Sequence, residues 1–187
     1  MKILTSADRP LRLDLLPASA ATWPGRVGLT IAPGKHYPGM EGMWERDLEV
    51  DLARLREVYG ASMIVPLCEV DELARIGIGD LYSRAAAAGL EVVAFPIVDG
   101  EAPASVEAVL PLVQTLARAA EDGRTVVIHC LGGLGRSGTV AACLLVTRGH
   151  GADAAIGIVR GARQGAVENQ AQEEFVRAFA ASWQSAG

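Results

Sequence analysis

The chain has 187 residues, of which 50% are hydrophobic, and a formal net charge of -5 at pH 7. This length suits one domain with a buried core and is short for two. The acidic balance excludes the broad basic surface of a nucleic-acid-binding protein, and no apolar run approaches the ~20 residues of a membrane span. We therefore predict a single domain over residues 1–187 with neither a nucleic-acid nor a membrane partner. Residues 1–30 form an N-terminal extension of unassigned role, for which the alternatives are an extra strand that covers the core and a docking arm.

The N-terminus carries Asp8 and Arg9 where a secretory signal would need an apolar stretch. The cysteines are odd in number and widely spaced, which fits neither a disulfide scaffold nor a zinc site. They are Cys68, Cys130 and Cys143. We expect reduced thiols, a cytoplasmic location, and no metal or cofactor.

Short apolar runs alternate with segments of helical periodicity along the chain. Strands are predicted at residues 26–31, 62–67, 90–95 and 124–129. Helices are predicted at residues 44–59, 71–76, 80–88, 104–120, 136–148, 153–160 and 169–183. We expect Pro111 to kink or split its helix. This alternation predicts an α/β fold with a central, mostly parallel β-sheet flanked by α-helices.

A glycine-rich loop follows the strand at residues 124–129. Its residues are Cys130, Leu131, Gly132, Gly133, Leu134, Gly135, Arg136 and Ser137, and a helix begins at once. Ligands bind at such loops in parallel sheets. The glycines let backbone N–H groups turn toward an anion, and the helix N-terminus adds positive charge. We predict that residues 131–136 bind a phosphate group.

The side chains of this loop suggest a reaction. Cys130 lies at the base of the predicted cradle, where the positive field favours its thiolate. The planar guanidinium of Arg136 suits two phosphoryl oxygens, and Ser137 is expected to donate a hydrogen bond to the sulfur when it leaves. His129 is predicted to support the loop from behind. This set predicts hydrolysis of phosphate monoesters through a phosphocysteine intermediate.

The reaction also needs a proton donor for the departing oxygen and a base for water. Asp99 follows the strand at residues 90–95, so parallel topology brings it to the same sheet edge as Cys130. It is therefore the predicted general acid. Glu101 lies two positions on, and the more distant rivals are Asp71, Asp80 and Asp122.

Two segments resemble known phosphatases. HCLGGLGRSG, at residues 129–138, resembles the H-C-x-x-G-x-x-R-S/T loop of the cysteine-dependent protein phosphatases. FPIVDGEAP, at residues 95–103, resembles the general-acid loop of the kinase-associated phosphatase family, which is of the dual-specificity type. The resemblance covers about residues 32–179. It implies a protein-tyrosine-phosphatase-like fold with Asp99 as the acid.

The same resemblance bears on three further residues. It places Gln172 at the second of two water-positioning glutamines, whereas Glu168 stands where tyrosine-specific enzymes carry the first. Some relatives have a cysteine near the position of Cys68 that protects an oxidised nucleophile. This implies a reversible disulfide between Cys68 and Cys130.

The predicted substrate is a phosphorylated protein or a small phosphoester. The chain is too short for the additional recognition loop of large tyrosine-specific enzymes, so a shallow pocket should admit phosphoserine or phosphothreonine as well as phosphotyrosine. The alternatives are a phosphate-binding pseudophosphatase or kinase-binding module, a phosphoinositide phosphatase and a rhodanese-like sulfurtransferase. The Arg136-Ser137 pair with Asp99 argues against sulfur transfer. A single cation within the loop argues against lipid substrates.

Overall fold

The computed structural model describes residues 2–39 and 42–186. The strands are β1 Ile3–Leu4, β2 Asp14–Leu15, β3 Arg26–Thr30, β4 His36–Gly39, β5 Gly42–Glu45, β6 Ala61–Pro66, β7 Glu91–Val92 and β8 Thr125–His129. The helices are α1 Ala18–Ala21, α2 Leu48–Glu57, α3 Val70–Arg75, α4 Leu81–Ala87, α5 Val106–Glu121, α6 Gly135–Val146, α7 Ala152–Ala162 and α8 Gln170–Ala186.

The larger sheet has the strand order β2-β3-β8-β6-β7. Strands β3, β8, β6 and β7 are parallel, and β2 is antiparallel to β3. Every residue of the central strand β8 is buried, as its run of apolar residues predicts. Helices α5 and α6 pack on β8, and α2 packs on β6. The predicted α/β class, with a mostly parallel sheet flanked by helices, is confirmed.

The N-terminal segment belongs to this sheet and to its core. Strand β2 pairs with β3, so that Asp14 lies opposite Leu29. The side chains of Leu11, Leu13 and Leu16 are buried in the main hydrophobic cluster. Residues 2–30 thus supply an edge strand and core packing, which agrees with the first of the two alternatives for this segment.

A second, smaller sheet corrects one predicted helix boundary. Its strand order is β1-β5-β4, and β5 takes up Trp44 and Glu45. The helix predicted at residues 44–59 therefore begins only at Leu48, where the Asp47 carboxylate accepts a hydrogen bond of 3.0 Å from the Val50 N–H. The apolar side chain of Trp44 fitted the helical spacing by coincidence, because it belongs to a paired strand.

Two other predictions about local structure differ from the observed chain. Pro111 does not split its helix: α5 runs unbroken from Val106 to Glu121. Its missing N–H frees only the carbonyl of Glu107, and both residues are exposed to water. The strand predicted at residues 90–95 is regular only at β7, although the N–H groups of Val93 and Phe95 continue to donate to the β6 backbone.

Within residues 2–39 and 42–186, no helix has the length and apolar character needed to cross a bilayer. The same residues contain no group of three or more His, Cys, Asp or Glu side chains arranged to hold a metal ion.

Candidate active site

Three chain segments leave the sheet at the same edge. Cys130 follows β8, Leu67 and Cys68 follow β6, and Ile97 lies beyond β7. The Leu67 N–H donates to the His129 carbonyl at 2.9 Å, and the Ile97 N–H donates to the Leu67 carbonyl at 2.9 Å. These bonds bring the segment that carries Asp99 next to the segment that carries Cys130, as parallel topology predicts.

A cavity of about 370 Å³ opens at this edge. It is lined by Lys35, Tyr37, Pro38, Asp99, Gly100, Cys130, Leu131, Gly132 and Glu168. A larger hollow of about 490 Å³ lies between α2 and α4 but shares no residue with this cavity. The cavity at Cys130 is the one that combines a nucleophile, a carboxylate and a glycine-rich loop, and it is therefore the candidate active site.

The glycine-rich loop packs too closely for larger residues at two positions. Gly133 has a φ of +69°, and an added Cβ would lie 2.2 Å from the Thr30 carbonyl oxygen. At Gly135 an added Cβ would lie 2.4 Å from an Oε2 atom of Glu168. Glycine at both positions therefore lets the loop backbone lie against β3 on one side and the Glu168 side chain on the other.

Arg136 is buried and fixed by four contacts. Its Nη1 donates to Glu72 Oε2 at 2.6 Å and to the Ile97 carbonyl at 3.0 Å. Its Nη2 donates to Glu72 Oε1 at 2.7 Å and lies 2.7 Å from Asp99 Oδ1. In the described part of the chain, Nε has no acceptor. The edge formed by Nε and Nη2 is therefore the one suited to phosphoryl oxygens.

Glu72 is one of the site residues that sequence reasoning missed. Its side chain is only 5% exposed, and it forms the bidentate pair with Arg136. Burial alone would raise the pKa of Glu72, but the hydrogen bonds and charge of Arg136 outweigh it and lower that pKa. Burial likewise opposes the charge of Arg136, and the Glu72 carboxylate more than compensates and raises the pKa of Arg136. The pair stays ionised and holds the guanidinium in one orientation.

Asp99 differs from its rivals in what it reaches. Its side chain is 65% exposed and ends 2.7 Å from Arg136. Asp80 instead pairs with the exposed Arg84, and Asp122 precedes β8, at the opposite end of that strand from Cys130. Among the predicted carboxylates, Asp99 thus combines an exposed side chain with a contact inside the candidate site.

Two further polar side chains predicted to assist Cys130, those of His129 and Ser137, are buried. The imidazole Nδ1 of His129 lies 3.4 Å from the Cys130 carbonyl oxygen, and burial lowers the pKa of His129 to about 4. His129 is therefore a neutral support of the loop at pH 7. The Ser137 hydroxyl is buried and has no hydrogen-bond partner among the described residues. Its predicted donation to the sulfur stays a prediction.

Gln172 is buried and engaged with the surrounding backbone. Its Oε1 accepts from the Glu168 N–H at 2.8 Å, and its Nε2 donates to the Glu101 carbonyl at 3.2 Å. Asn169 adds a bond of 2.8 Å to the Gly100 carbonyl. The start of α8 therefore holds the loop that carries Asp99, a positioning role for Gln172 and Asn169 that the sequence did not indicate.

Cys68 and Lys35 approach Cys130 from other segments. Burial and the nearby Glu72 carboxylate strongly raise the pKa of Cys68, whose thiol hydrogen-bonds Glu72. Lys35 is 5% exposed, and its ammonium donates to the Leu131 carbonyl at 3.1 Å. Burial lowers the pKa of Lys35 to about 8. The site therefore contains a second cation, from outside the glycine-rich loop.

The fold and the arrangement of this site are similar to those of dual-specificity and protein-tyrosine phosphatases. The family model described as polymorphic toxin system, DSP-PTPase phosphatase, matches residues 39–150, which is more than half of the chain. The chain belongs to this DSP-PTPase phosphatase family. The predicted family resemblance is thereby confirmed.

Similar proteins include the cyclin-dependent kinase inhibitor 3 of Sus scrofa, which is 29% identical over 137 residues. The match covers 73% of this chain and 62% of that relative, so it leaves more than a third of the relative unmatched. A kinase associated phosphatase with serine at its catalytic cysteine superposes with a TM-score of 0.83 and 26% identity, covering 94% of this chain and 97% of that one. Tk-PTP in its active form gives a TM-score of 0.65 and 33% identity, with 84% and 92% covered.

Proposed function

We propose that the protein hydrolyses phosphate monoesters through a phosphocysteine intermediate at Cys130. The thiolate attacks phosphorus while the N–H groups of residues 131–135 and the Nε–Nη2 edge of Arg136 bind the phosphoryl oxygens. Asp99 protonates the departing oxygen and later accepts a proton from the attacking water. Ser137 donates to the sulfur as it leaves. The observation that supports this proposal most directly is that Cys130 and Asp99 line one cavity and that the buried Arg136 lies 2.7 Å from Asp99.

Hydrolysis of p-nitrophenyl phosphate tests this function. We expect Cys130→Ser to abolish turnover, because an alcohol is not ionised at neutral pH. Cys143→Ala is the matched control, because Cys143 is buried in α6 and lines no part of the cavity. Turnover should persist in EDTA, since no step uses a metal. Wild-type protein that binds phosphate without turnover would instead be a pseudophosphatase.

We propose phosphorylated proteins as substrates, with phosphotyrosine and phosphoserine or phosphothreonine all accepted. The rim of the cavity supports this breadth, because Tyr37 and Pro38 lie beside the loop and are exposed. Matched phosphotyrosine and phosphothreonine peptides would measure the preference. Turnover of phosphotyrosine alone would contradict it. Capture with the Cys130→Ser variant would identify the natural substrate.

Lys35 qualifies the case against phosphoinositides. That case relied on Arg136 as the sole cation within the loop, whereas Lys35 brings a second one into the cavity from outside it. The Lys35 ammonium, however, already donates a hydrogen bond to the Leu131 carbonyl. Two carboxylates, those of Asp99 and Glu168, also line the cavity and would repel a highly charged head group. Phosphorylated proteins stay the better candidate. Release of phosphate from short-chain phosphoinositides, compared with peptides at equal concentration, separates the two.

A further inference from the structure

Two successive carbonyl groups of the glycine-rich loop are bound by cations from outside it. Lys35 Nζ donates to the Leu131 carbonyl at 3.1 Å, beside the Ala32 N–H that donates to the same oxygen at 3.3 Å. Arg163 Nη2 donates to the Gly132 carbonyl at 2.8 Å. Neither cation lies within the residues 39–150 that the family model matches. The two contacts therefore tie the loop to parts of the chain that its own sequence motif does not include.

The geometry of the peptide bond gives these contacts a consequence. The described residues contain no cis peptide bond, and in a planar trans peptide the C=O and the following N–H point in opposite directions. Holding the Leu131 carbonyl toward Lys35 thus turns the Gly132 N–H away from it. In the same way, the Gly132 carbonyl points toward Arg163, and the Gly133 N–H therefore points away from Arg163. Over residues 2–39 and 42–186, neither N–H donates to a protein acceptor.

Arg163 is itself held by the N-terminal segment. Its Nη1 lies 2.5 Å from Asp14 Oδ2, and its side chain is 15% exposed. Asp14 of β2 pairs with Leu29 of β3, which in turn pairs with Ile128 of β8. This register brings the Asp14 carboxylate to the sheet edge from which the glycine-rich loop leaves. The buried Asp14 carboxylate binds Nη1 of Arg163, while Nη2 of the same guanidinium donates to the glycine-rich loop.

Lys35 is held from the same side of the molecule. Its Nζ lies 5.6 Å from the centre of the Trp44 ring, and the preceding Gly34 N–H donates to the Asp51 carboxylate at 2.9 Å. Asp51 forms a buried bidentate pair with Arg46 and accepts a hydrogen bond from the Ser6 hydroxyl. The N-terminal segment thereby also contributes to the placement of Lys35.

We propose that Lys35 and Arg163 are positioning residues that preorganise the phosphate-binding amides of Gly132 and Gly133, and that Asp14 acts through Arg163. This proposal rests on the proposed phosphatase function. It gives residues 1–30 a role in catalysis, because their carboxylate orients one of the two cations. Preorganised donors bind an oxyanion without a reorganisation cost at the moment of reaction.

Competitive inhibition by inorganic phosphate tests the proposal. We expect Lys35→Met and Arg163→Met each to raise the inhibition constant about tenfold or more, the size of one lost hydrogen bond to a charged group. The value of kcat/KM should fall in parallel. An inhibition constant does not depend on the folded fraction of the sample, so a loss of stability alone would leave it unchanged. Lys35 lines the cavity and its charge can attract phosphate directly, whereas Arg163 does not line the cavity, so the Arg163→Met result is the one that tests positioning.

Asp14→Asn removes the negative charge of this side chain but keeps its shape, so the surrounding packing changes little. It should weaken phosphate inhibition in the same direction, and Asp14→Asn with Arg163→Met should be no worse than Arg163→Met alone. Arg148→Met is the matched control: Arg148 binds the Ala21 carbonyl and Glu121 and makes no loop contact. It should lower thermal stability but not phosphate affinity.

The outcomes separate this proposal from the function on which it rests. An active wild type whose three variants keep its phosphate inhibition constant would overturn the positioning role and leave the phosphatase function intact. A wild-type protein that neither turns over aryl phosphate nor is bound by phosphate would overturn both.

Discussion

Asp99 Oδ1 lies 2.7 Å from Nη2 of Arg136, although the Asp99 side chain is 65% exposed. Nη2 belongs to the guanidinium edge that is suited to phosphoryl oxygens. A bound phosphate and the Asp99 carboxylate therefore compete for the same donor. In the proposed mechanism, phosphate that takes Nη2 releases Asp99 toward the departing oxygen, so we expect binding and proton donation to be coupled through one N–H.

The first prediction concerns this competition. Asp99→Asn should lower kcat by about 10² or more for phenyl phosphate, whose leaving group needs a proton, and less for p-nitrophenyl phosphate. It should also tighten inhibition by inorganic phosphate, because a competing negative charge is lost. Steady-state kinetics on both esters measures this. Glu101→Gln is the control, and an equal loss on both esters would argue that Asp99 is not the acid.

The second prediction concerns Glu72. Glu72→Gln leaves a buried guanidinium without its counter-charge, which typically costs about 3–5 kcal/mol when one partner of a buried pair is removed. We expect a fall of about that size in the free energy of unfolding, measured with urea, and a loss of kcat/KM. Glu121→Gln removes the exposed partner of Arg148 and should cost at most about 1 kcal/mol. Equal costs for the two variants would be inconsistent with the buried pair.

The features predicted well from sequence are those whose signal is local. The apolar run before His129 and the glycines after Cys130 lie next to one another in the chain, so the strand, the loop and the following helix could be placed together. The prediction of Asp99 needed one further step, the rule that the carboxyl ends of parallel strands lie at the same edge of a sheet. Each of these needs only the neighbouring residues and a general rule of topology.

The features that were missed depend on distant contacts. Glu72 lies on the short helix α3 with no motif around it, and only its pairing with Arg136 reveals its role. Lys35 and Arg163 flank the loop from positions 96 and 31 residues away from the carbonyls they bind. The spacing of apolar residues along the chain contains no information about such a contact. The misplaced start of α2 has the same origin, because strand pairing outweighed the helical spacing of Trp44.

The third prediction concerns oxidation. Peroxide should convert Cys130 to a sulfenic acid, and attack by the Cys68 thiol would then form a disulfide and release water. Burial raises the pKa of Cys68 and keeps it a thiol at neutral pH, so its proton must pass to the departing hydroxyl as the sulfur attacks. A thiol attacks more slowly than a thiolate, and we therefore expect the crosslink to form slowly. Mass spectrometry should detect the Cys68–Cys130 crosslink, with activity restored by dithiothreitol. Cys68→Ala should be inactivated irreversibly, Cys143→Ala should behave as wild type, and sulfonic acid at Cys130 despite Cys68 would contradict the pairing.

The fourth prediction is an acid destabilisation caused by His129. Burial lowers its pKa in the folded protein to about 4, whereas the unfolded chain takes up a proton near 6.5. Between these values the unfolded state binds more protons, so the free energy of unfolding falls as the pH drops from 6.5 to 4. The total loss is about 3 kcal/mol, at about 1.4 kcal/mol for each unit.

Urea denaturation at several pH values measures this loss, and proton NMR titration identifies the histidine. His129→Asn should remove most of the pH dependence in that window, whereas His150→Gln, at a partly exposed position between α6 and α7, should retain it. Loss of the Glu72 pair is expected only at lower pH, because the pKa of Glu72 lies below its ordinary value of 4.5. A His129 imidazole that titrates near 6.5 in the folded protein would show that water reaches it, and that the support behind the glycine-rich loop is not the neutral, buried group described here.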